Sequence, residues 1–220
     1  MALFYQHNIN EDSRLGIWRI EEPESFFLDK VSLDPAVSHP VKRLQHLAGR
    51  WLLPTLYPDF PLDDILIAST RKPFLESEKY HFSISHCGLF AAAIVSRTQR
   101  VGIDLERITE RIRPIAGKFL NPSERKFLSE DHRRFLEQWG LHQKMDLELL
   151  TLIWSAKESL FKWYGQGGLD FRKHMRLSGA ILFGEDEWME LPFLFSKNNR
   201  IRLSVQARLF GNLALAFVLS

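Results

Sequence analysis

Val101-Gly102-Ile103-Asp104-Leu105-Glu106 lies near the middle of this 220-residue chain and reads as a β-strand. Side chains alternate along a strand, so Asp104 and Glu106 share one face while Ile103 and Leu105 point to the other. It is the third of three strand-like runs. Tyr80 to Ser85 and Leu89 to Val95 precede it, and the turn-sized gaps between them predict an antiparallel meander. Upstream, after which comes a connection rich in proline (Pro54, Pro58, Pro61), Val41 to Leu52 has helical periodicity. Leu44, Leu47, Ala48 and Trp51 fall on one side, and Pro40 suits the first turn. Downstream the same order recurs. Asn121-Pro122-Ser123-Glu124 is a helix start with Asn121 as cap, Pro122 first and Glu124 as the capping-box acid. A longer helix covers about Leu147 to Tyr164 and stops at Gly165-Gln166-Gly167-Gly168. Strand-like runs follow at Met175 to Phe183, Arg200 to Ala207 and Leu213 to Val218, with a less regular one around Trp188 to Phe195. Helix then meander, twice, predicts an α+β fold of two similar halves, residues 1–108 and 109–220, joined near Arg107 to Pro114.

Composition narrows the class. With 45% hydrophobic and 25% charged residues the chain can bury a sizeable core. Seventeen Phe, six Trp and four Tyr exclude a disordered chain. A net charge of +2 gives no reason to expect a nucleic-acid or membrane partner. The single cysteine, Cys87, excludes an intramolecular disulfide or a cysteine metal cluster, and reads as a buried structural thiol. Met1 to Arg19 has no cleavage-site pattern, and no apolar run reaches the length of a bilayer span. The expectation is a soluble protein of a reducing, cytoplasmic compartment.

Three clusters carry chemistry. Asp104 and Glu106 repel on one strand face unless a cation lies between them, and a hard divalent ion is the usual answer; alternation alone more often describes a strand with its polar face in water. In Trp154-Ser155-Ala156-Lys157-Glu158-Ser159-Leu160-Phe161-Lys162, the residues Trp154, Glu158 and Lys162 climb one helix face with Lys157 beside them. A carboxylate flanked by two ammonium groups suits metal and phosphate, although Glu158 and Lys162 also fit a solvated ion pair. In His81-Phe82-Ser83-Ile84-Ser85-His86-Cys87, either Ser83, Ser85 and Cys87 share one strand face or Ser85 and His86 sit at the strand's exit, and a lone histidine near a turn is more often filler than catalyst. Arg43, His46 and Arg50 share a basic helix face, and Arg71-Lys72-Pro73 adds two cations in a rigid turn; beside a carboxylate-bound metal these suit a polyphosphorylated ligand.

Taken in order, these clusters resemble the 4′-phosphopantetheinyl transferases, in particular the large pseudo-dimeric type. The resemblance runs from about Val41 to Gly165. It comprises the Lys42-Arg43…Arg50 helix, Lys72-Pro73-Phe74-Leu75, Phe82-Ser83-Ile84-Ser85-His86, the Gly-hydrophobic-Asp-x-Glu strand at Gly102 to Glu106, and the Trp-x-x-Lys-Glu-x-x-x-Lys helix at Trp154 to Lys162. The resemblance implies two pseudo-twofold halves, each a helix on a small antiparallel sheet, with coenzyme A in the cleft between them. It implies transfer of the phosphopantetheine arm of coenzyme A to a serine of an apo acyl or peptidyl carrier protein, leaving adenosine 3′,5′-bisphosphate. By position, Asp104, Glu106 and Glu158 correspond to the ligands of Mg²⁺, with Mn²⁺ as an alternative metal. Lys157 and Lys162 correspond to the pair flanking the pyrophosphate, Ser85 and His86 to coenzyme A contacts, and Arg43, Arg50 and Lys72 to contacts with its phosphates and adenine end. Glu158 is the expected base and Lys162 the group that protonates the leaving phosphate. Two positions depart from the pattern: Cys87 stands where Ser is common, and Arg71 where Gly commonly precedes Lys-Pro.

Carriers of this kind are acidic, as the resemblance implies. Between Arg97 and Lys144 there are eleven Lys/Arg against seven Asp/Glu. Arg107, Arg111, Arg113 and Lys118 mark a candidate docking surface, with Ile115, Phe119, Leu120 and Phe127 as apolar contacts or simply core. Two other functions use the same residues: a magnesium-dependent nucleotide phosphohydrolase, and a binding module without turnover. A pseudo-dimer is expected to act as a monomer.

Overall fold

The computed structural model describes residues 3–33, 37–125, 128, 145–184 and 186–220. The architecture is α+β with antiparallel sheets, divided into two compact units: Met1–Leu105 with Leu219–Ser220, and Glu106–Val218.

The first unit opens on a hairpin of β1 (Leu3–Asn10) and β2 (Ser13–Arg19), paired from Leu3 opposite Trp18 to Asn10 opposite Ser13. The sequence reading missed it. Its turn has no Asn-Gly or Asp-Gly pair, and is held by the Asn10 side chain accepting from the Asp12 amide at 3.0 Å. After α1 (Glu24–Leu28) comes α2 (Pro40–Leu56), which starts at the proline as expected. It runs one turn further than the periodicity suggested and includes Pro54. A proline in the last turn removes only one amide donor, and Thr55 donates its hydroxyl to the Trp51 carbonyl at 2.8 Å. The strands β3 (Ile65–Ile67) and β4 (Pro73–Leu75) form a small separate sheet, and β5 (His81–Cys87) pairs with β6 (Phe90–Ser96). The main sheet is ordered β1-β2-β6-β5, so β6 lies between β5 and β2, and the third run of the expected meander is not its second neighbour. Leu47, Ala48, Leu52, Leu53 and Leu56 of α2 form its core with Trp18, Ala91, Ala93 and Val95. Alanines on β6 and Gly49 on α2 let helix and sheet approach closely. A Cβ at Gly49 would lie 2.6 Å from Cγ2 of Ile84.

The strand β7 (Val101–Arg107) carries the chain out of the first unit, the division falling between Leu105 and Glu106. In the second unit a 3-10 turn (Glu110–Ile115) and α3 (Ala116–Phe119) precede the expected capping box. The Glu124 amide donates to Oδ1 of Asn121 at 3.0 Å and the Asn121 amide to Oε2 of Glu124 at 2.8 Å. The long helix α4 (Met145–Tyr164) stops where Gly165 takes φ +71°. Then follow β8 (Met175–Leu177), β9 (Leu182–Phe183), β10 (Met189–Ser196), β11 (Arg200–Phe210) and β12 (Leu213–Leu219). They form an antiparallel sheet ordered β12-β11-β10-β8 with β9 also on β10. The expected single run from Met175 to Phe183 is two short strands. The run that looked irregular is the regular β10, with Met189, Leu191, Phe193 and Phe195 buried in alternation. Its Pro192 obscured the pattern, yet Pro192 still accepts from the Ser178 amide at 2.8 Å. Leu152, Ile153, Ala156 and Leu160 of α4 pack in one core with Met175, Leu191, Phe193 and Val205. Among the described residues no helix is long and apolar enough to cross a membrane.

Candidate active site

In the first unit the site grows from β5. Ser83 and Ser85 are both buried, and their hydroxyls accept from the Ile103 and Leu105 amides, each at 3.2 Å. Ser85 also donates to Oδ1 of Asp104 at 2.9 Å. The alternation of β5 thus delivers two hydroxyls to the backbone of β7, and one of them fixes a carboxylate. Asp104 is only 3% exposed, which rules out the reading of β7 as a strand with its polar face in water. A carboxylate is rarely buried without a hydrogen-bonded partner. His86 lies at the exposed end of β5, and Cys87 is half-buried rather than buried.

In the second unit the Trp154 indole N–H donates to Oε1 of Glu106 at 3.1 Å. Trp154 packs on Phe119, with ring centroids 5.2 Å apart, and stacks on Phe171 at 5.4 Å. One residue before Glu158 stands Lys157, whose side chain is fully buried. Its ammonium lies 2.7 Å from Oε1 and 2.9 Å from Oε2 of Glu124, and donates to the Phe119 carbonyl at 2.6 Å and the Phe171 carbonyl at 3.1 Å. Burial pulls the pKa of this ammonium down while Glu124 pushes it back up. Lys157 was expected beside a pyrophosphate; in the structure its donors are directed into the fold. Glu158 and Lys162, one turn apart on α4, are both half-buried.

The cations of the first unit stand apart in kind. Arg43 is half-buried and holds Glu24 of α1 through both carboxylate oxygens, with Nε at 3.1 Å from each. This bond raises the arginine pKa and lowers that of Glu24. Arg50 is half-buried on the same helix. Lys72 is pushed down to about 8, first by burial and then by the positive charge of Arg100. Arg71 before it has φ +65°, the left-handed region that favours glycine.

The family model described as the 4′-phosphopantetheinyl transferase superfamily matches residues 100–216, more than half of the chain. The chain belongs to that superfamily. Enterobactin synthase component D of Escherichia coli (strain K12) is 35% identical over 124 residues, 55% of this chain and 54% of that protein. The proteins of the same name from Escherichia coli O157:H7 and Shigella flexneri are 33% identical over the same lengths. The chain spans about half the length of the curated relatives it matches.

Membership in the phosphopantetheinyl transferase superfamily gives the strand and helix motifs a common context, since both lie inside the matched region. Sequence reasoning found Glu124 only as a helix cap. Its second task, as partner of Lys157 and acceptor from the Leu177 amide at 2.8 Å, left no sequence signal beyond the capping box. Phe119 and Leu120, weighed as carrier contacts, are buried in the core; Phe127 lies outside the described residues. A cavity of about 480 Å³ in the second unit is lined by Ile108, Glu110 and Arg113 after β7, Leu147 and Glu148 of α4, and Gly211 and Asn212 of the β11–β12 turn. Among the described residues no group of three His, Cys, Asp or Glu side chains is arranged to hold a metal ion. The oxygen-only chemistry of the Asp104 and Glu106 carboxylates nonetheless fits magnesium, which is usually held through one or two carboxylates completed by substrate phosphates and water.

Proposed function

We propose that this protein transfers the 4′-phosphopantetheine arm of coenzyme A to a serine of an apo acyl or peptidyl carrier protein. The observation that carries the reading is the family match over residues 100–216, which contains both the Asp104/Glu106 strand and the Lys157/Glu158/Lys162 helix. The hydrogen bond from Trp154 to Glu106, which ties the first residue of the helix motif to the last of the strand motif, supports it. In the reaction the serine oxygen forms a bond to the β-phosphorus of coenzyme A as the bond to the bridging oxygen breaks. Glu158 takes the serine proton, and Lys162, one turn along α4, stabilises and protonates the departing phosphate oxygen. Adenosine 3′,5′-bisphosphate leaves. Asp104, Glu106 and Glu158 would hold Mg²⁺, which when bound supplies charge neutralisation at the pyrophosphate. Ser85 orients Asp104, while His86, Arg50, Lys72 and Arg43 are the candidates for coenzyme A contacts.

A pseudo-twofold pairing of halves 1–108 and 109–220 around a coenzyme A cleft, acting as a monomer in the cytoplasm, belongs to the same proposal and rests on the family resemblance. The relatives are named as components of a synthase, which makes a carrier belonging to a synthase the first acceptor to try. Intact-mass analysis of an apo carrier incubated with this protein, coenzyme A and Mg²⁺, with an EDTA control, tests the reading. A metal-dependent gain of one phosphopantetheine group is expected. Breakdown of coenzyme A with no carrier modified would replace it with hydrolysis, and no reaction on either carrier type would leave a binding protein.

A further inference from the structure

Lys157 belongs to the helix motif, yet its ammonium is enclosed. It bonds the carbonyls of Phe119 and Phe171, at 2.6 and 3.1 Å. Those are the two residues whose rings pack against Trp154, at 5.2 and 5.4 Å between centroids. Phe171 is backed in turn by Phe161 at 5.8 Å. Trp154 spends its one polar atom on Glu106. The remaining contacts of Lys157 are the oxygens of Glu124, which is fixed independently by the Asn121 and Leu177 amides, each at 2.8 Å. An ammonium has three protons, and here they meet one carboxylate and two carbonyls. The backbone on either side of the indole is therefore pinned to one buried charge.

We propose that Lys157 is a positioning residue and not a phosphate ligand: it fixes the backbone of Phe119 and Phe171, so that their rings set Trp154 and aim its indole N–H at the Glu106 carboxylate. The path is Lys157 to two carbonyls, to two rings, to one indole, to Glu106. Glu124 serves as the counter-charge that makes the burial of Lys157 tolerable. Glu106 matters for catalysis only if the transferase reading holds, and to that extent this inference rests on it.

The test uses the full chain and two readouts. The indole N–H resonance of Trp154, assigned by its loss in Trp154→Phe, is recorded in ¹H–¹⁵N spectra of the protein, of Lys157→Met and of Glu106→Ala. Coenzyme A affinity is measured by calorimetry without divalent metal. The expected result is that Lys157→Met moves the resonance in the same direction as Glu106→Ala, while the coenzyme A Kd stays within about twofold. An unmoved resonance overturns the proposal. So does a Kd that rises roughly tenfold, the loss expected for a charge-assisted phosphate contact. If Lys157→Met alone fails to fold, Lys157→Met combined with Glu124→Gln removes both buried charges, and the same two outcomes apply. A parent protein that modifies no carrier and binds no coenzyme A would sink the transferase reading instead; the resonance arm would still decide the role of Lys157.

Discussion

Arg71 and Lys72 are neighbours whose costs are of different kinds. Arg71 holds φ +65° in a turn closed by the Arg71 amide on the Ala68 carbonyl at 2.8 Å and the Ala68 amide on the Lys72 carbonyl at 3.0 Å. A side chain with a Cβ is strained there and glycine is not, so Arg71→Gly should stabilise the protein by about 0.5–1 kcal/mol, read as a rise in the urea midpoint at constant m. A fall in the midpoint would mean that the arginine side chain outweighs the backbone strain. Lys72 is held at about 8, against an ordinary value of 10.5, chiefly by burial. Between those two values the folded chain binds fewer protons than the unfolded chain, so this group makes stability rise with pH across that window. Below pH 8 the half-buried ammonium is a net cost. Lys72→Met should therefore flatten the rise between pH 8 and 10 in denaturation series. If Lys72 meets a phosphate of coenzyme A, the anion favours the charged form, and binding at pH 8.5 takes up a proton. Calorimetry in two buffers of different ionisation enthalpy measures that uptake; an unchanged uptake in Lys72→Met would move the phosphate contact to another residue.

At the scale of elements, α2 and β5 meet where there is no side chain. Gly49 faces Ile84, one residue before Ser85, which in turn holds Asp104. Gly49→Ala introduces a Cβ at 2.6 Å from a β-branched side chain that cannot swing away, so β5 or α2 must shift. The expected cost is about 1–3 kcal/mol of stability, and kcat for carrier modification should fall even where the fold survives. A variant that is destabilised with kcat intact would show that the displacement does not reach Ser85. This contact had no signature in the sequence, because the periodicity of α2 says which residues are apolar and nothing about how near a strand comes. The ends of helices were legible for the opposite reason. Pro40, the Asn121–Glu124 box and Gly165 are local signals, acting within one turn. The β1–β2 hairpin was not legible, since its turn is made by an Asn side chain rather than a glycine pair. The strand order escaped for a related reason: β6 has β2 as its neighbour, and no local signal connects residues 13–19 with 90–96. The candidate site was legible as residue types at helical and strand spacing only when read through the resemblance to the transferases. Its support was not, because the bonds from Ser85 to Asp104, Trp154 to Glu106 and Lys157 to Glu124 span 19, 48 and 33 positions of chain.

At the scale of the whole molecule, the family match covers Asp104, Glu106, Lys157, Glu158 and Lys162 but leaves Arg43, Arg50, Lys72, Ser85 and His86 outside it. The matched part also carries the candidate carrier surface. Arg111 and Arg113 are exposed on the 3-10 turn after β7, and Arg113 pairs at 2.7 Å with the more exposed Glu110. A surface pair of this kind contributes little to folding, so reversing the charges should leave the fold intact. A rim charge acts instead on encounter with a charged partner and on its dependence on salt. With an acidic carrier as acceptor, Arg111→Glu with Arg113→Glu should raise the carrier KM by roughly tenfold at low ionic strength, with a smaller effect as salt screens the field. The KM for coenzyme A and the urea midpoint should stay at their parent values. Equal loss toward both substrates would indicate damage to the fold, and a carrier KM that does not move would place docking away from this turn. Steady-state kinetics at two salt concentrations, with carrier and coenzyme A varied in turn, separates the three results.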